Sequence, residues 1–206
     1  MKPPPFPIRE PIEWLRLWVP DSDQSTLNQP RVLLIGDSIA NGYGPYLAEE
    51  LGDQASIAWA CTSRFPADPA FLDELSLPLR YTQFDIIHFN NGLHGFGYSE
   101  DDYREHLTTA VDTLRELTPK ATWAMATSTP LRDKQNLASY RDTNPRVIVR
   151  NEILTHIARE RNLPVTDLYS TMEGHPELYN EDATHFTEEG QKLQATSVAH
   201  TLKPLL

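Results

Sequence analysis

Short apolar runs alternate with longer amphipathic segments along most of the chain, and this alternation constrains the fold more than any other feature of the sequence. The predicted strands cover residues 31–36, 55–61, 84–90, 121–128 and 163–169. The predicted helices cover residues 44–52, 68–77, 99–119, 144–162 and 187–206. Strands that alternate with helices of this length form a parallel sheet with helices on both faces. We therefore predict an α/β fold, a three-layer α/β/α sandwich with a five-stranded parallel sheet.

The start of the chain differs in character from the rest. It is rich in proline, which favours an irregular arm over a regular element. Within the arm, the segment PIEWLRLWVP (residues 11–20) is bounded by prolines, and Trp14, Leu15 and Trp18 would share one face of a short helix. The chain is therefore predicted to divide into an N-terminal arm with a short helix and one α/β domain, which cover residues 1–28 and 29–206.

Charge and composition exclude several classes of partner. The formal net charge of −11 argues against nucleic acid and anionic membrane surfaces, because both bind basic proteins. Cys61 is the only cysteine, so no intramolecular disulfide is possible. No apolar run approaches the roughly 18–20 residues of a membrane-spanning helix, so no membrane insertion is expected. The first residues lack the apolar core of a secretion signal, and the chain is expected to be cytoplasmic, although a chain whose signal had been removed would look the same. No feature indicates a particular oligomeric state.

The first predicted strand ends in an unusual group of residues, within the stretch RVLLIGDSIANGYG. Ligands of parallel α/β sheets bind at the carboxyl ends of the strands, and Ser38 follows this strand directly. Amide groups at the start of the next helix would favour negative charge beside its hydroxyl. Ser38 is therefore either a nucleophile, which requires a base, or an ordinary helix cap.

A suitable base and its partner occur far downstream, in the stretch NEDATHFTEEG. Asp182 precedes His185 by three residues, just before the last predicted helix. This spacing lets the carboxylate accept a hydrogen bond from one imidazole nitrogen while the other nitrogen points outward, as in a Ser-His-Asp triad. The alternative is that Thr184 or Thr187 caps the helix and that the histidine has no catalytic role.

The chain resembles the SGNH (GDSL-like) hydrolase family over about residues 31–200. The resemblance rests on the stretch IGDSIANG near the start and the stretch DATHFTEEG near the end, on a chain in which strands and helices alternate. The resemblance implies a flavodoxin-like fold for the hydrolase domain and a mechanism without a cofactor. It also implies that Ser38 is the nucleophile, His185 the general base and Asp182 the residue that orients the base.

The family further implies an oxyanion hole, which this sequence supplies in a modified form. The implied donors are the Ser38 amide, an amide after the second strand and a side chain after the third. The stretch ACTSRF lacks the usual glycine, so Arg64 or Ser63 would supply the amide. The stretch HFNNGLHG resembles the Phe-Asn-x-Gly-His form found in the plant polysaccharide O-acetylation branch. By that match the side chain is Asn90, with Asn91, or even His94, as the alternative.

Three further residues are candidates for substrate binding. They are Asp37, beside the serine, His94, in a glycine-rich loop, and Arg132, after the fourth strand. Arg132 could hold an anionic group such as a uronate, or could pair with Asp133 or Asp142. No other set of histidines and carboxylates has the spacing of metal ligands, so no metal is expected.

The function expected from these features is that of a serine esterase that removes short acyl groups, chiefly acetyl, from a carbohydrate or another small ester. One alternative is a lysophospholipase-like or short-chain acyl-ester hydrolase, or an acetyltransferase, on the same triad. An alternative of another class is a non-catalytic α/β binding module with a decayed oxyanion hole, which the missing glycine suggests. The expected partner is a small-molecule or glycan ester.

Overall fold

The computed structural model describes residues 8–23 and 28–206. The strands are β1 (Leu15–Trp18), β2 (Arg31–Gly36), β3 (Ser56–Thr62), β4 (Ile86–Asn90), β5 (Thr122–Ala126) and β6 (Val165–Thr166). The helices are α1 (Ser38–Leu51), α2 (Pro69–Ser76), α3 (Glu100–Leu117), α4 (Asn144–Glu160), α5 (Leu168–Glu173) and α6 (Glu188–Leu202). Short 3₁₀ turns cover Gly52–Gln54, Pro78–Arg80, Pro176–Leu178 and Lys203–Leu205.

One sheet forms the centre of the molecule, in the order β1-β3-β2-β4-β5-β6. The strands β2 to β6 are parallel, as the alternation of strands and helices predicts. Neighbouring residues of β2 point to opposite faces: Leu34 packs with α1 and α6, and Leu33 packs with α2, α3 and α4. The predicted three-layer α/β/α sandwich is therefore confirmed, with one additional antiparallel strand.

The additional strand is β1, and it corrects the prediction of a short helix over residues 11–20. β1 runs antiparallel to β3, with Leu15 opposite Thr62 and Trp18 opposite Trp59. The rings of Trp18 and Trp59 stack with their centroids 5.7 Å apart. An isolated helix of this length is marginal in water, whereas a strand here pairs with backbone groups at the open edge of β3. The remainder of the predicted arm, residues 1–7 and 24–27, lies outside the described residues.

Two other elements differ from the sequence prediction. Helix α1 begins at Ser38 rather than at residue 44, since Asp37 caps it and its internal glycines and Pro45 do not end it. The predicted strand over 163–169 shortens to two residues and leads into the unpredicted helix α5. Asp167 caps α5 by accepting from the Ser170 amide, so the apolar run is divided between a strand and a helix.

The residues before β1 run across the carboxyl edge of the sheet, and we call residues 8–14 the crossing segment. At one end, the Ile8 amide donates to the Tyr98 hydroxyl at 2.7 Å. At the other, the Trp14 amide donates to Ser63 Oγ at 2.9 Å, and the Ser63 amide donates to the Trp14 carbonyl at 3.2 Å. The crossing segment therefore connects the loop after β4 to the loop after β3, on the side of the sheet where ligands bind in this architecture.

Within residues 8–23 and 28–206, no helix combines the length and the apolar character needed to cross a bilayer.

Candidate active site

Ser38 lies at a sharp turn between β2 and α1. The strand ends at Gly36, where a β-carbon would lie 2.5 Å from the β-carbon of Ala40, so a larger residue would push the helix away. Asp37 caps α1 by accepting from the Ile39 amide at 2.9 Å. As the first residue of the helix, Ser38 has a backbone N–H without a partner inside the helix. The turn thus presents, at the carboxyl edge of the sheet, a hydroxyl together with an amide that has no partner within the helix.

His185 and Asp182 meet Ser38 at this edge. The Nε2 atom of His185 lies 2.8 Å from Ser38 Oγ, and its Nδ1 atom lies 2.6 Å from Asp182 Oδ2. In the sequence, Ser38 and His185 are 147 positions apart, and Asp182 and His185 are three apart. The structure brings all three side chains together. Helix α6, whose cap Thr187 follows His185 closely, packs against α1 and holds the loop beside Ser38.

The loop that carries His185 is shaped by the same carboxylate that contacts its ring. Asp182 Oδ1 accepts from the backbone amides of Thr184 and His185 at 2.9 and 2.8 Å. Ala183 adopts a φ of 60°, a left-handed conformation that these bonds stabilise. Arg141 braces the loop further, donating to the Asp182 carbonyl and to the Thr184 hydroxyl.

The electrostatics of the loop keep Asp182 ionised. Partial burial by itself raises the pKa of Asp182, but the hydrogen bonds from the backbone and ring of His185 and from the Thr184 backbone outweigh it, so the pKa lies below the usual value. An ionised Asp182 accepts the Nδ1–H of His185. The Nε2 atom is then free to accept the Ser38 proton, which is the arrangement that general-base activation of a hydroxyl requires.

The amides predicted to complete the oxyanion hole after β3 have other partners. The Arg64 amide donates to Thr62 Oγ1 at 3.1 Å, and the Ser63 amide donates to the crossing segment. The Arg64 guanidinium forms ion pairs with three carboxylates, those of Glu13, Asp68 and Glu74. The structure therefore does not leave Arg64 free for the predicted role, because its surroundings use both its backbone and its side chain.

The predicted side-chain donor Asn90 is also engaged. Its Nδ2 group donates to the carbonyls of Ala126 and Thr127, at 2.9 and 3.0 Å, which uses both of its N–H groups. Asn90 thus fastens the end of β4 to the end of β5. The alternative, Asn91, is buried, and its Nδ2 group donates to no other atom of residues 8–23 and 28–206.

Two of the three predicted substrate-binding residues are not available to a ligand. Asp37 is fully buried and acts as the cap of α1. Arg132 is also buried: its guanidinium donates to the Glu173 carbonyl and lies over the rings of Tyr140 and Tyr179. Arg132 pairs with neither of the aspartates considered as its partners, since these ring and carbonyl contacts hold it inside the fold.

The third candidate, His94, lies at the edge of the site with a partner that the sequence does not indicate. Its Nδ1 atom lies 3.6 Å from a carboxylate oxygen of Glu10, in the crossing segment. The same oxygen accepts from the Gly95 amide at 2.6 Å. Arg150, from α4, donates to the His94 carbonyl at 2.6 Å. Neither Glu10 nor Arg150 belongs to a recognisable motif. No local pattern in the sequence predicts their contacts with His94, because the residues lie far apart along the chain.

Comparison with protein families matches residues 34–193 to the GDSL-like lipase/acylhydrolase family. The matched segment begins in β2, before Ser38, and ends in α6, after His185. This chain belongs to the GDSL-like lipase/acylhydrolase family. The resemblance predicted from the sequence is thereby confirmed, and a hydrolase is the class of enzyme that the family supports. A comparison with curated protein sequences gave no match.

Several solved structures of GDSL-like and related acylhydrolases share this fold. A lipase/acylhydrolase from Enterococcus faecalis is 19% identical, with a TM-score of 0.70 over 85% of this chain and 96% of that one. The acetyl xylan esterase AlAXEase is 18% identical, with a TM-score of 0.65 over 82% and 98% of the two chains. The C-terminal catalytic domain of peptidoglycan O-acetyltransferase A from Streptococcus pneumoniae is 19% identical, with a TM-score of 0.63 over 86% and 94%. At these identities the likeness establishes the fold of this GDSL-like protein.

Proposed function

We propose that this protein is a serine esterase that removes short acyl groups, chiefly acetyl, from a carbohydrate, with Ser38, His185 and Asp182 as its catalytic triad. The observation that carries the proposal is the continuous chain of hydrogen bonds from Ser38 Oγ through the His185 ring to Asp182. A helix cap alone would not require the base and its carboxylate to converge on the hydroxyl.

In the proposed reaction, the Ser38 oxygen attacks the ester carbonyl carbon while its proton moves to His185 Nε2. The carbonyl π electrons move to the oxygen and form a tetrahedral oxyanion. Collapse of this intermediate breaks the bond to the alcohol, which takes the proton from His185 and leaves an acyl group on Ser38. A water molecule then repeats the sequence, with His185 again as the base, and releases the carboxylic acid. Asp182 remains ionised and stabilises the imidazolium in both halves.

The oxyanion in this reaction needs donors placed before the substrate arrives. The Ser38 amide, at the start of α1, is one, because it lacks a helical partner and lies at the positive end of the helix dipole. A second donor would come from the loop after β4, where Asn90 is committed elsewhere and Asn91 and His94 are the candidates.

The choice of an acetylated carbohydrate has two supports. The HFNNGLHG stretch resembles a branch of the superfamily concerned with polysaccharide O-acetylation, and two structural neighbours are an acetyl xylan esterase and a peptidoglycan O-acetyltransferase. The second neighbour also favours one alternative, in which an alcohol instead of water takes the acetyl group from Ser38. The two outcomes differ only in the acceptor, since the first half of the reaction is shared.

The first experiment compares hydrolysis of p-nitrophenyl acetate by the wild type and by Ser38→Ala. We expect turnover by the wild type and a loss on the order of 10³-fold or more in the variant, since removing a nucleophile leaves only the residual effect of the rest of the site. Ser170→Ala is the control, because that hydroxyl is exposed and donates to Asp167 with no imidazole beside it. A fluorophosphonate should label the wild type once and Ser38→Ala not at all.

An inactive, correctly folded wild type that also resists the fluorophosphonate would contradict the proposal and favour a binding module. Given activity, p-nitrophenyl esters of increasing length and acetylated xylan identify the acyl group and the alcohol. Rates that rise with chain length would contradict the acetyl preference in favour of a lipid ester. Formation of a new ester when an alcohol or sugar is added would show transfer.

A further inference from the structure

A second carboxylate–imidazole pair lies at the same edge of the sheet as the triad. It consists of Glu10, in the crossing segment, and His94, in the loop after β4, with 3.6 Å between the carboxylate oxygen and Nδ1. Neither side chain is on the open surface: the exposed fractions are 29% for Glu10 and 20% for His94. The chain thus brings a carboxylate from outside the family-matched segment to a histidine inside it.

The charges around His94 favour its protonated form. Burial lowers the pKa of His94, but the contact with Glu10 and the negative charges of Asp37 and Glu10 raise it by more, while Arg150 opposes them. The net result is a pKa above the usual value. The loop that carries His94 also begins beside the Ser38 turn, because β4 pairs directly with β2 and a β-carbon on Gly36 would lie 3.8 Å from that of Asn90.

The loop that carries His94 is held rigidly. The guanidinium of the fully buried Arg150 donates to the carbonyls of Gly92, His94 and Gly95, at 3.0, 2.6 and 3.0 Å. Gly95 has a φ of 69°, and a β-carbon there would lie 2.3 Å from the ring of Phe65. With the backbone bound from α4 and Nδ1 facing the Glu10 carboxylate at 3.6 Å, the ring has one nitrogen left for another partner. That atom, Nε2, forms no hydrogen bond within the described parts of the chain.

We propose that His94 donates Nε2–H to the oxyanion formed when Ser38 attacks the ester, and that Glu10 is the positioning residue that fixes His94 for this role. This inference rests on the proposed function. Asn90 and the Arg64 amide are engaged within the fold, and of the two remaining candidates, Asn91 and His94, only His94 can carry a positive charge. A cationic donor stabilises a developing negative charge more strongly than a neutral amide does. The crossing segment is then a part of the active site and not only an addition to the sheet.

The test is a mutant cycle on the full-length protein with p-nitrophenyl acetate, measuring kcat and KM separately. We expect His94→Ala to lower kcat on the order of 10²–10³-fold, with KM nearly unchanged, because the lost bond forms only in the transition state. Glu10→Ala should lower kcat by about tenfold or more. The double variant should be no slower than His94→Ala alone, since Glu10 acts through His94.

Conservative replacements separate positioning from a structural role. Glu10→Gln keeps an acceptor for the Gly95 amide and should recover part of the activity lost in Glu10→Ala. His94→Asn keeps an N–H donor and should be faster than His94→Ala. Glu160→Gln is the matched control, because Glu160 contacts the imidazole of His156 on the exposed face of α4, with 3.2 Å between the atoms. All variants are checked for an unchanged melting temperature.

The results distinguish this inference from the proposed function. If the wild type hydrolyses the ester and Ser38→Ala does not, but His94→Ala keeps the wild-type kcat, then the esterase stands and the role of His94 is wrong. A rise in KM at constant kcat would also overturn it, in favour of simple substrate binding. Additive losses in the double variant would overturn the positioning role of Glu10. Equal inactivity of wild type and Ser38→Ala would contradict the proposed function itself, and this inference with it.

Discussion

At the scale of single residues, Asp182 has two separate tasks, one for each of its oxygens. Oδ1 accepts two backbone amides and gives the loop its shape, whereas Oδ2 accepts from the His185 ring. One carboxylate therefore both shapes the loop and orients the His185 ring. Because the tasks fall on different atoms, a substitution can separate them.

Asp182→Asn is the substitution that does so. Its carbonyl oxygen can keep the two backbone bonds, but its NH₂ group cannot accept the Nδ1–H of His185. We expect kcat for p-nitrophenyl acetate to fall on the order of 10³–10⁴-fold, since the ring then favours the wrong tautomer. The melting temperature should remain close to that of the wild type.

Asp133→Asn provides the control for this prediction. Asp133 accepts from the Gln135 amide at 2.8 Å in a comparable turn, but it has no histidine beside it. Its replacement should leave kcat unchanged. An Asp182→Asn variant with wild-type kcat would contradict the assignment of Asp182 to the triad.

The sequence predicts which residues reach the site better than it predicts whether their polar groups are already hydrogen-bonded to other parts of the fold. Ser38, Asp182 and His185 were recognisable because each lies in a short stretch whose spacing has a chemical reason. Asn90 and Arg64 were assigned to the oxyanion hole through the family resemblance, which implies donors after the second and third predicted strands. Whether such groups are free depends on contacts with distant residues, such as Ala126 for Asn90, and no local pattern encodes those contacts.

At the scale of elements, the loop after β4 depends on helix α4. Arg150 is fully buried, and its bonds to three loop carbonyls replace the hydration that these groups would have in water. Its guanidinium also lies 4.5 Å from the centre of the Phe96 ring and 5.3 Å from that of Phe65. The loop thus has little regular structure of its own, and two arginines of α4 hold its backbone, since Arg146 also donates to the carbonyls of Phe96 and Tyr98.

Arg150→Met is expected to disrupt this loop. The variant keeps an apolar stem but leaves three buried carbonyls without their donor, so we expect a loss of about 3 kcal/mol or more in the free energy of unfolding. Urea denaturation followed by circular dichroism measures it. Arg159→Met, on the exposed face of the same helix, is the control and should change stability by less than about 0.5 kcal/mol. A stable Arg150→Met variant would show that the loop holds its shape without the guanidinium.

The elements themselves were predictable where periodicity was strong. The five parallel strands and the long helices α3 and α4 follow from repeated apolar spacing and, for α3, from the Ser99 cap. The exceptions are β1 and α5. In the PIEWLRLWVP stretch, apolar residues satisfy both a helical and an alternating pattern, and only the open edge of β3 decides between them.

At the scale of the whole molecule, a buried histidine makes stability depend on pH. His88, in the central strand β4, is fully buried, and its Nε2 atom lies 3.1 Å from Thr166 Oγ1, which in turn donates to Thr201. Its Nδ1 atom has no partner among the described residues. Burial lowers the pKa of His88 from 6.5 to about 4. The folded protein therefore holds this imidazole neutral where the unfolded chain would protonate it.

The sign of the effect follows from proton binding. Below pH 6.5 the unfolded chain takes up a proton at His88 that the folded protein does not bind until about pH 4. The contribution of His88 to the free energy of unfolding therefore falls with decreasing pH, by about 1.4 kcal/mol per pH unit across this window. Between pH 7 and pH 5 the loss from this residue is about 2 kcal/mol.

His88→Leu should remove this part of the pH dependence. The measurement is urea denaturation at pH 7 and pH 5, and the quantity compared is the difference between the two free energies of unfolding. We expect that difference to be about 2 kcal/mol smaller in His88→Leu than in the wild type. His200→Leu, which replaces an exposed histidine at the end of α6, is the control. An equal difference in His88→Leu and the wild type would contradict the neutral, buried state of His88.

Under the proposed mechanism, the separation of 147 positions between Ser38 and His185 has a consequence for how activity develops in a newly folding chain. The Ser38 hydroxyl meets the His185 ring only once α6 has packed against α1, so on the proposed mechanism a partly folded chain carries a serine of ordinary reactivity. Ester hydrolysis would then serve as a reporter of complete folding, more selective than helix content, because secondary structure can form before the two distant ends of the site come together.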